Sequence, residues 1–178
     1  MEERWQVLSS EVVYEGRFRV IRDLLRRPDG KTQDYSWLPS NGAVAVLAFD
    51  DQGRVVLTRQ YRHPLRRTII DLPAGGIEPG ESESTAALRE LREETGYTAG
   101  KLSRLGAFYQ SPGRLATAVT VFVAAELQPG PTDLDDGEIV EVLPMPWPEV
   151  LDLVRTSEQP VDSALAYAVL LWHARSSS

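Results

Sequence analysis

The chain begins with short segments in which apolar and polar side chains alternate. Between Trp5 and Leu38 this alternation, with a turn signal at Pro28-Asp29-Gly30, is typical of a three-stranded antiparallel meander. A sheet this small has little core of its own, so we expect it to pack against the rest of the chain or against a second subunit. The pattern therefore predicts an N-terminal β region, residues 1–40, followed by a larger domain, residues 41–178.

The larger domain begins with a nearly continuous apolar run, Ala43 to Phe49, which predicts a buried central strand. Further strands are predicted at Val55–Tyr61, Thr68–Leu72, Leu102–Tyr109, Ala116–Ala125 and Ile139–Pro144. The helical pattern appears at Ser84–Thr95, Pro146–Arg155 and Val161–Arg175, the last with Leu165, Val169 and Leu170 on its buried face. These elements together predict a mixed α/β fold.

The helix predicted at Ser84–Thr95 carries an unusual concentration of negative charge. At about 100° per residue, Glu94 lies about 40° from Glu90 and Glu93 about 60° on the other side, so three carboxylates share one stripe. Like charges at this spacing cost a few tenths of a kcal/mol per pair unless a cation compensates them. The neighbouring stripe is predicted to contain Leu88, Leu91 and Thr95.

Two explanations fit this acidic stripe. In the first, the helix faces water and its glutamates pair with Arg89 and Arg92. In the second, the carboxylates bind a divalent ion, and hard oxygen ligands in a chain without cysteine favour Mg²⁺ or Mn²⁺. The loop before the helix favours the metal, because its glycines and prolines let backbone groups approach a bound anion or metal closely: Pro73, Gly75, Gly76, Pro79 and Gly80.

Composition limits the remaining possibilities. The formal net charge of −7 argues against a nucleic acid or an anionic membrane as partner, since neither is attracted to a negative surface. The absence of cysteine excludes disulfides, thiol catalysis and cysteine-ligated zinc. No apolar run approaches the ~20 residues of a membrane span, and the start lacks a signal-peptide pattern, so we expect a cytoplasmic protein.

The stretch from Gly75 to Tyr97 resembles the signature of the Nudix hydrolase family at every constrained position: Gly75, Glu81, Arg89, Glu90, Leu91, Glu93, Glu94, Gly96 and Tyr97. The resemblance implies an α/β/α sandwich with a mixed sheet, with the N-terminal antiparallel β region as an additional subdomain. It also implies an enzyme that hydrolyses a nucleoside diphosphate linked to another group, by attack of water on phosphorus.

The family resemblance implies a role for each residue of the signature. Glu90 and Glu94 would be the principal metal ligands, together with the backbone carbonyl of Ala74. Glu93 would hold a further metal or position water. Arg89 would orient these carboxylates.

The other residues of the signature would shape the site. Glu81 would hold the loop or an additional metal ion. Gly75 belongs to the tight turn, and Gly96 stands where a left-handed helix end is least costly.

Segments outside the signature resemble the ADP-ribose pyrophosphatase branch of the family. These are residues 59–64 and 72–75, Pro112, and residues 137–142. The last segment is similar to a loop and strand whose glutamate acts as general base, which makes Glu138 the candidate base. The implied substrate is ADP-ribose or a related ADP-sugar, cleaved to AMP and a sugar phosphate.

Four further residues are candidates for substrate binding. Phe18 and Tyr35 resemble positions that clamp adenine between aromatic rings contributed across a homodimer, an interaction worth roughly 1–3 kcal/mol per base. Packing in the core or at an interface is the alternative for both rings. Arg59 and Arg62 could contact phosphate or ribose through a guanidinium fork, or could be exposed arginines with no role.

Two other functions remain open on this reasoning. The enzyme could act on another nucleoside diphosphate derivative, such as FAD, a diadenosine polyphosphate or GDP-mannose. It could also be a ligand-binding regulator that keeps the fold without catalysis, although such a protein should show a broken glutamate set, and this chain does not.

Overall fold

A computed structural model describes residues 4–134, 137, 139–156 and 160–177. The strands in this part of the chain are β1 (Gln6–Glu15), β2 (Arg19–Arg26), β3 (Thr32–Trp37), β4 (Ala43–Phe49), β5 (Arg54–Arg62), β6 (Arg67–Asp71), β7 (Ala74–Gly76), β8 (Tyr97–Tyr109), β9 (Ala118–Pro129) and β10 (Val140–Pro146). The α-helices are α1 (Glu83–Thr95), α2 (Trp147–Thr156) and α3 (Ser163–Ser176).

Strands β1, β2 and β3 form a separate three-stranded sheet in that order. Both pairings are antiparallel, with Val12 opposite Ile21 and Ile21 opposite Trp37. At the β2–β3 turn, Gly30 has φ 82°, and the Arg27 N–H donates to the Lys31 carbonyl at 2.8 Å. The predicted meander is thus confirmed.

The second sheet has seven strands, in the order β10-β5-β4-β9-β8, with β6 paired to β5 and β7 paired to β4. Strand β4 pairs parallel to β9 and antiparallel to β5, so the sheet is mixed. Residues Val44 to Ala48 of β4 are completely buried, as the apolar run predicted.

Helices cover both faces of this sheet because β4 sends alternate side chains to opposite sides. Ala45 and Leu47 join one core, which also contains Leu165 of α3. Val44 and Val46 join a second core, which also contains residues of α1. The result is the expected α/β/α arrangement.

One side chain predicted to be buried is exposed, namely Leu170 of α3. The buried positions of α3 come in adjacent pairs, Ala164 with Leu165 and Ala168 with Val169. Leu170 is rotated by about 100° from Val169, away from the core. Its apolar character therefore misplaced the edge of the buried face.

The described chain divides into two compact units. The first contains the N-terminal residues up to Asn41 and also Tyr109–Thr117, which the predicted boundary had placed in the larger domain; the second contains Gly42–Phe108 and the residues from Ala118 onward. Within the first unit, the Leu38 N–H donates to the Arg114 carbonyl at 2.9 Å. None of the described helices has both the length and the apolar character needed to span a membrane.

Candidate active site

Helix α1 has well-defined ends, which fix the position of its glutamates. The Ser82 hydroxyl caps the start by accepting a hydrogen bond from the Thr85 N–H at 3.1 Å. Gly96 ends the helix in the left-handed conformation with φ 75°, and its N–H donates to the Arg92 carbonyl at 2.8 Å. The predicted helix and its glycine end are confirmed.

The segment before α1 is bound to the central strand. Ala74 of β7 pairs with Ala45 of β4, and the Pro73 carbonyl accepts from the Val46 N–H at 2.9 Å. The Ala74 N–H donates to Oε2 of Glu94 at 3.1 Å. These contacts hold the backbone at Ala74 beside a carboxylate of α1.

Gly75 allows a second close approach in this segment. A Cβ built at Gly75 would overlap the carboxylate of Glu90. Glycine is needed at this position because Glu90 occupies the space that any side chain would fill.

The Arg89 guanidinium lies at the centre of the acidic group and forms five hydrogen bonds. Its Nε and one Nη donate to the two carboxylate oxygens of Glu81 at 3.0 and 3.1 Å. Its other Nη donates to Glu90 at 2.7 Å and to Glu93 at 3.0 Å. The fifth bond, at 2.9 Å, is accepted by the Gly76 carbonyl. Arg89 thus connects the loop to three glutamates.

These ion pairs shift the pKa values of Arg89 and Glu81. The Glu81 carboxylate, followed by Glu90 and Glu93, raises the pKa of Arg89 further above its usual range, against the opposing effect of burial. The same hydrogen bonds from Arg89, helped by the Glu78 N–H, lower the pKa of Glu81. Both shifts favour the charged form of the group.

The site is negative and mostly shielded from water. The side chains of Glu81, Glu90 and Glu93 expose 10%, 13% and 27% of their surface, and Glu94 is buried. Arg92 adds a contact of 3.6 Å to Glu93 from the exposed side. Four shielded carboxylates outnumber the single Arg89 guanidinium among them, and burying uncompensated charge is costly. The acidic side of α1 is therefore not an ordinary solvent-exposed helix face.

The oxygen donors at this site fit a divalent cation. Glu90, Glu93, Glu94 and the Ala74 carbonyl offer the hard oxygens that Mg²⁺ and Mn²⁺ prefer. Among the described residues no group of three acidic or histidine side chains is already arranged to hold a metal ion. The Arg89 guanidinium donates to both Glu90 and Glu93, whereas Glu94 accepts from the Ala74 N–H.

The two candidate arginines on β5 both have acidic partners. Arg59 donates to both carboxylate oxygens of Glu141 at 3.1 Å. Arg62 lies 3.6 Å from Oδ2 of Asp71. The side chains of Arg59 and Arg62 are both 40% exposed, so neither is fully covered by its acidic partner.

The candidate base clamp belongs to the first unit. Phe18 is exposed and packs against Tyr14, with ring centroids 5.2 Å apart. The Tyr35 hydroxyl donates a hydrogen bond to the Gly113 carbonyl at 2.7 Å, and Tyr35 lines a pocket of about 240 Å³ together with Asp23 and Trp37.

The candidate general base, Glu138, lies outside the described residues.

Sequence reasoning missed Asp71, a buried carboxylate at the end of β6. Burial, followed by the charge of Asp162, raises the pKa of Asp71 to about 7, while the Leu72 N–H and Arg62 act in the opposite direction. The signal available in the sequence was an acidic residue inside an apolar strand pattern, directly before Leu72-Pro73.

A mixed sheet between helices, with a glycine-rich turn that leads into a helix of glutamates arranged around one arginine, defines a Nudix hydrolase. Residues 39–167 match the NUDIX domain family, and residues 5–38 match the nucleoside diphosphate sugar hydrolase N-terminal domain. The chain belongs to the Nudix family. Members of this family generally require a divalent metal ion, which agrees with the donor set described above.

Known proteins resemble nearly the whole chain. It is 41% identical to the ADP-ribose pyrophosphatase of Bacillus subtilis (strain 168) over 92% of this chain and 90% of the relative. It is 32% identical to the methanol dehydrogenase activator of Bacillus methanolicus, again over 92% of this chain and 90% of the relative. A crystal structure of an ADP compounds hydrolase superposes with a TM-score of 0.83 at 26% identity, covering 98% of this chain and 96% of that one.

Proposed function

We propose that this protein hydrolyses the pyrophosphate of ADP-ribose or a related ADP-sugar to AMP and a sugar phosphate, with Mg²⁺ or Mn²⁺ as cofactor. The observation that carries the proposal is the shielded group of glutamates around Arg89, beside the backbone of Ala74. The similarity to an ADP-ribose pyrophosphatase over most of both chains supports the choice of substrate.

In this proposal Glu90, Glu94 and the Ala74 carbonyl hold the metal, while Glu93 holds a further ion or positions water. A bound divalent ion would neutralise the diphosphate and make a coordinated water more acidic. Arg89 keeps the carboxylates in place and lowers the repulsion between them. Because its hydrogen bonds go to protein groups, Arg89 is assigned an orienting role and no contact with the substrate.

Glu138 is the proposed general base. It follows Gly137, which has φ 84°, and precedes β10. Glu138→Gln should lower kcat strongly and leave KM nearly unchanged, because a base acts on the water that attacks phosphorus and not on substrate binding. An effect on KM alone would make Glu138 a binding residue.

Substrate recognition is assigned to four side chains. Phe18 and Tyr35 stack on the base, and the pocket beside Tyr35 supports this assignment. Arg59 and Arg62 contact phosphate or ribose, since each keeps an exposed guanidinium edge.

We further propose that the protein is a cytoplasmic homodimer and has no nucleic-acid or membrane partner. Strand β1 forms one edge of its sheet, and every residue of this strand is exposed. A second subunit could pack against this ten-residue edge strand and bury its apolar side chains. The exposed apolar residues of β1 are Val7, Leu8, Val12, Val13 and Tyr14.

A substrate panel tests the proposed activity. Turnover of ADP-ribose, an ADP-hexose, FAD, a diadenosine polyphosphate and GDP-mannose would be measured with Mg²⁺ and with Mn²⁺, and products identified by chromatography. We expect the highest kcat/KM with an ADP-sugar and AMP as its product. Faster cleavage of any of the other three compounds would overturn the substrate assignment.

Variants of the glutamates test the mechanism. Glu90→Gln and Glu93→Gln should abolish turnover and leave circular dichroism unchanged, because each removes one charge from a group held by several hydrogen bonds. Glu149→Gln, an exposed glutamate on α2, is the matched control and should retain full activity. Near-normal rates in both site variants would refute the assigned roles.

A further inference from the structure

Asp71 is a buried carboxylate that the proposed catalytic steps do not use. Strand β6 places it opposite Thr58 of β5, where it is almost fully shielded from solvent. Burial of the charge, added to by Asp162 at the start of α3, raises its pKa to about 7. The ionised carboxylate lowers the stability of the folded protein, so stability does not explain why an aspartate stands at this position.

The contacts of Asp71 link the half-buried Arg62 to the segment that carries Ala74. Its Oδ1 accepts a hydrogen bond from the Leu72 N–H at 2.8 Å. Its Oδ2 lies 3.6 Å from an Nη of Arg62, whose side chain is 40% exposed. The Arg62 guanidinium thus has a buried carboxylate beside it, and part of its side chain remains accessible to a ligand.

Asp50 offers an internal comparison. It is a half-buried aspartate beside an arginine, at the turn between β4 and β5, with a side chain that is 5% exposed. It accepts hydrogen bonds from the Arg54 N–H and Nε, both at 2.8 Å. Although burial opposes it, these hydrogen bonds lower the pKa of Asp50. Asp50 is thus a stabilising ion pair, whereas Asp71 pairs loosely with Arg62 and is destabilised by its surroundings.

We propose that Asp71 is a positioning residue, which holds the Arg62 guanidinium ready to bind the phosphates of the substrate and fixes it relative to Ala74 through the Leu72 amide. A guanidinium that is already oriented loses less side-chain entropy when it binds phosphate. The inference rests on the proposed function, because it takes Arg62 as a phosphate ligand.

Asp71→Asn tests this role. Asparagine keeps the volume and an acceptor for the Leu72 N–H, but it carries no charge toward Arg62. We expect KM for ADP-ribose to rise about tenfold while kcat changes by less than about twofold. The urea midpoint of unfolding at pH 8 should rise, whereas the loss of a merely structural contact would lower it.

A double-mutant cycle that combines Asp71→Asn with Arg62→Ala measures the coupling between the two residues. Once Arg62 is removed, Asp71→Asn should have no further effect on KM. The matched control Asp50→Asn should lower the urea midpoint and leave KM unchanged. An unchanged KM in Asp71→Asn, or the same increase with and without Arg62, would overturn the inference.

Calorimetric titration with ADP-ribose separates this inference from the proposed activity, because it requires no turnover. If the wild type cleaves no compound of the panel, the proposed activity fails, and the binding data still decide the role of Asp71. Tenfold weaker binding by Asp71→Asn, lost when Arg62 is absent, supports the inference. No binding by the wild type, or equal affinity in the variant, refutes it.

Discussion

Gly75 is required because the carboxylate of Glu90 lies where its Cβ would stand. Backbone conformation is not the reason, since Gly75 does not have a positive φ. A side chain there would displace Glu90 from Arg89. Gly76, the next residue, has open space where a Cβ would stand. Of these two adjacent glycines, only Gly75 is required by a close contact.

Gly75→Ala should therefore reduce kcat/KM by about 100-fold, since a displacement of about 1 Å in a catalytic group can cost that much. Gly76→Ala is the matched control and should remain within a few-fold of the wild type. Steady-state kinetics with ADP-ribose measures both. Equal effects at the two positions would mean that the contact with Glu90 is unimportant.

Asp71 predicts a pH dependence of stability. Its pKa is about 7 in the folded protein and about 3.8 in the unfolded chain, so the folded state binds more protons between these values. The contribution of Asp71 to stability is therefore complete below about pH 4 and is lost as the pH rises to about 7.

Urea unfolding of the wild type and Asp71→Asn at several pH values measures this effect. The variant should gain stability relative to the wild type as the pH rises from about 4 to about 7, and the difference should stay constant above that range. A difference that does not change with pH would show that Asp71 does not titrate as stated.

At the scale of elements, the end of α1 depends on one glycine. Gly96 has φ 75°, and a Cβ there would overlap the carbonyl oxygen of Gly130. Gly96→Ala should lower the free energy of unfolding by about 1–2 kcal/mol for the left-handed conformation alone, and more for the overlap. Gly113→Ala, where a Cβ meets no atom within 4 Å, is the control for urea denaturation.

Elements with local signals could be predicted from the sequence. Helix α1 has a serine cap and a glycine end, and β4 is a continuous apolar run, so their positions followed from the chain itself. Strand β7 was missed because Ala74-Gly75-Gly76 has no strand propensity, and only pairing with β4 extends it. The start of β8 at Tyr97 was also missed, because no turn residue other than Gly96 separates it from α1.

The same distinction applies to the candidate site. The spacing of Glu90, Glu93 and Glu94 showed that they share one side of a helix, since periodicity is local information. The bidentate contact of Arg89 with Glu81 joins the loop to the helix across eight positions, and it was not predicted, because no local pattern contains it. The coupling of Asp71 with Arg62 and Asp162 depends on strand register and helix packing, which no local pattern contains.

For the whole molecule, the exposed surface of β1 predicts self-association. Val12→Asp places a charge on this apolar strand and should convert the expected dimer to a monomer, because an unpaired charge is costly in a buried interface. Sedimentation equilibrium measures the change, with Gln33→Asp on the exposed part of β3 as control. A monomeric wild type would contradict the proposal.

The connection between Ala74 and β4 has a consequence for hydrogen exchange. The Val46 amide is bonded to Pro73 inside the most deeply buried strand, so deuterium should reach it only when the larger unit unfolds as a whole. Exchange mass spectrometry should find this segment among the slowest of the chain. The backbone beside the proposed metal site should therefore stay fixed while the protein is folded, so any movement that admits a ligand would have to come from other segments.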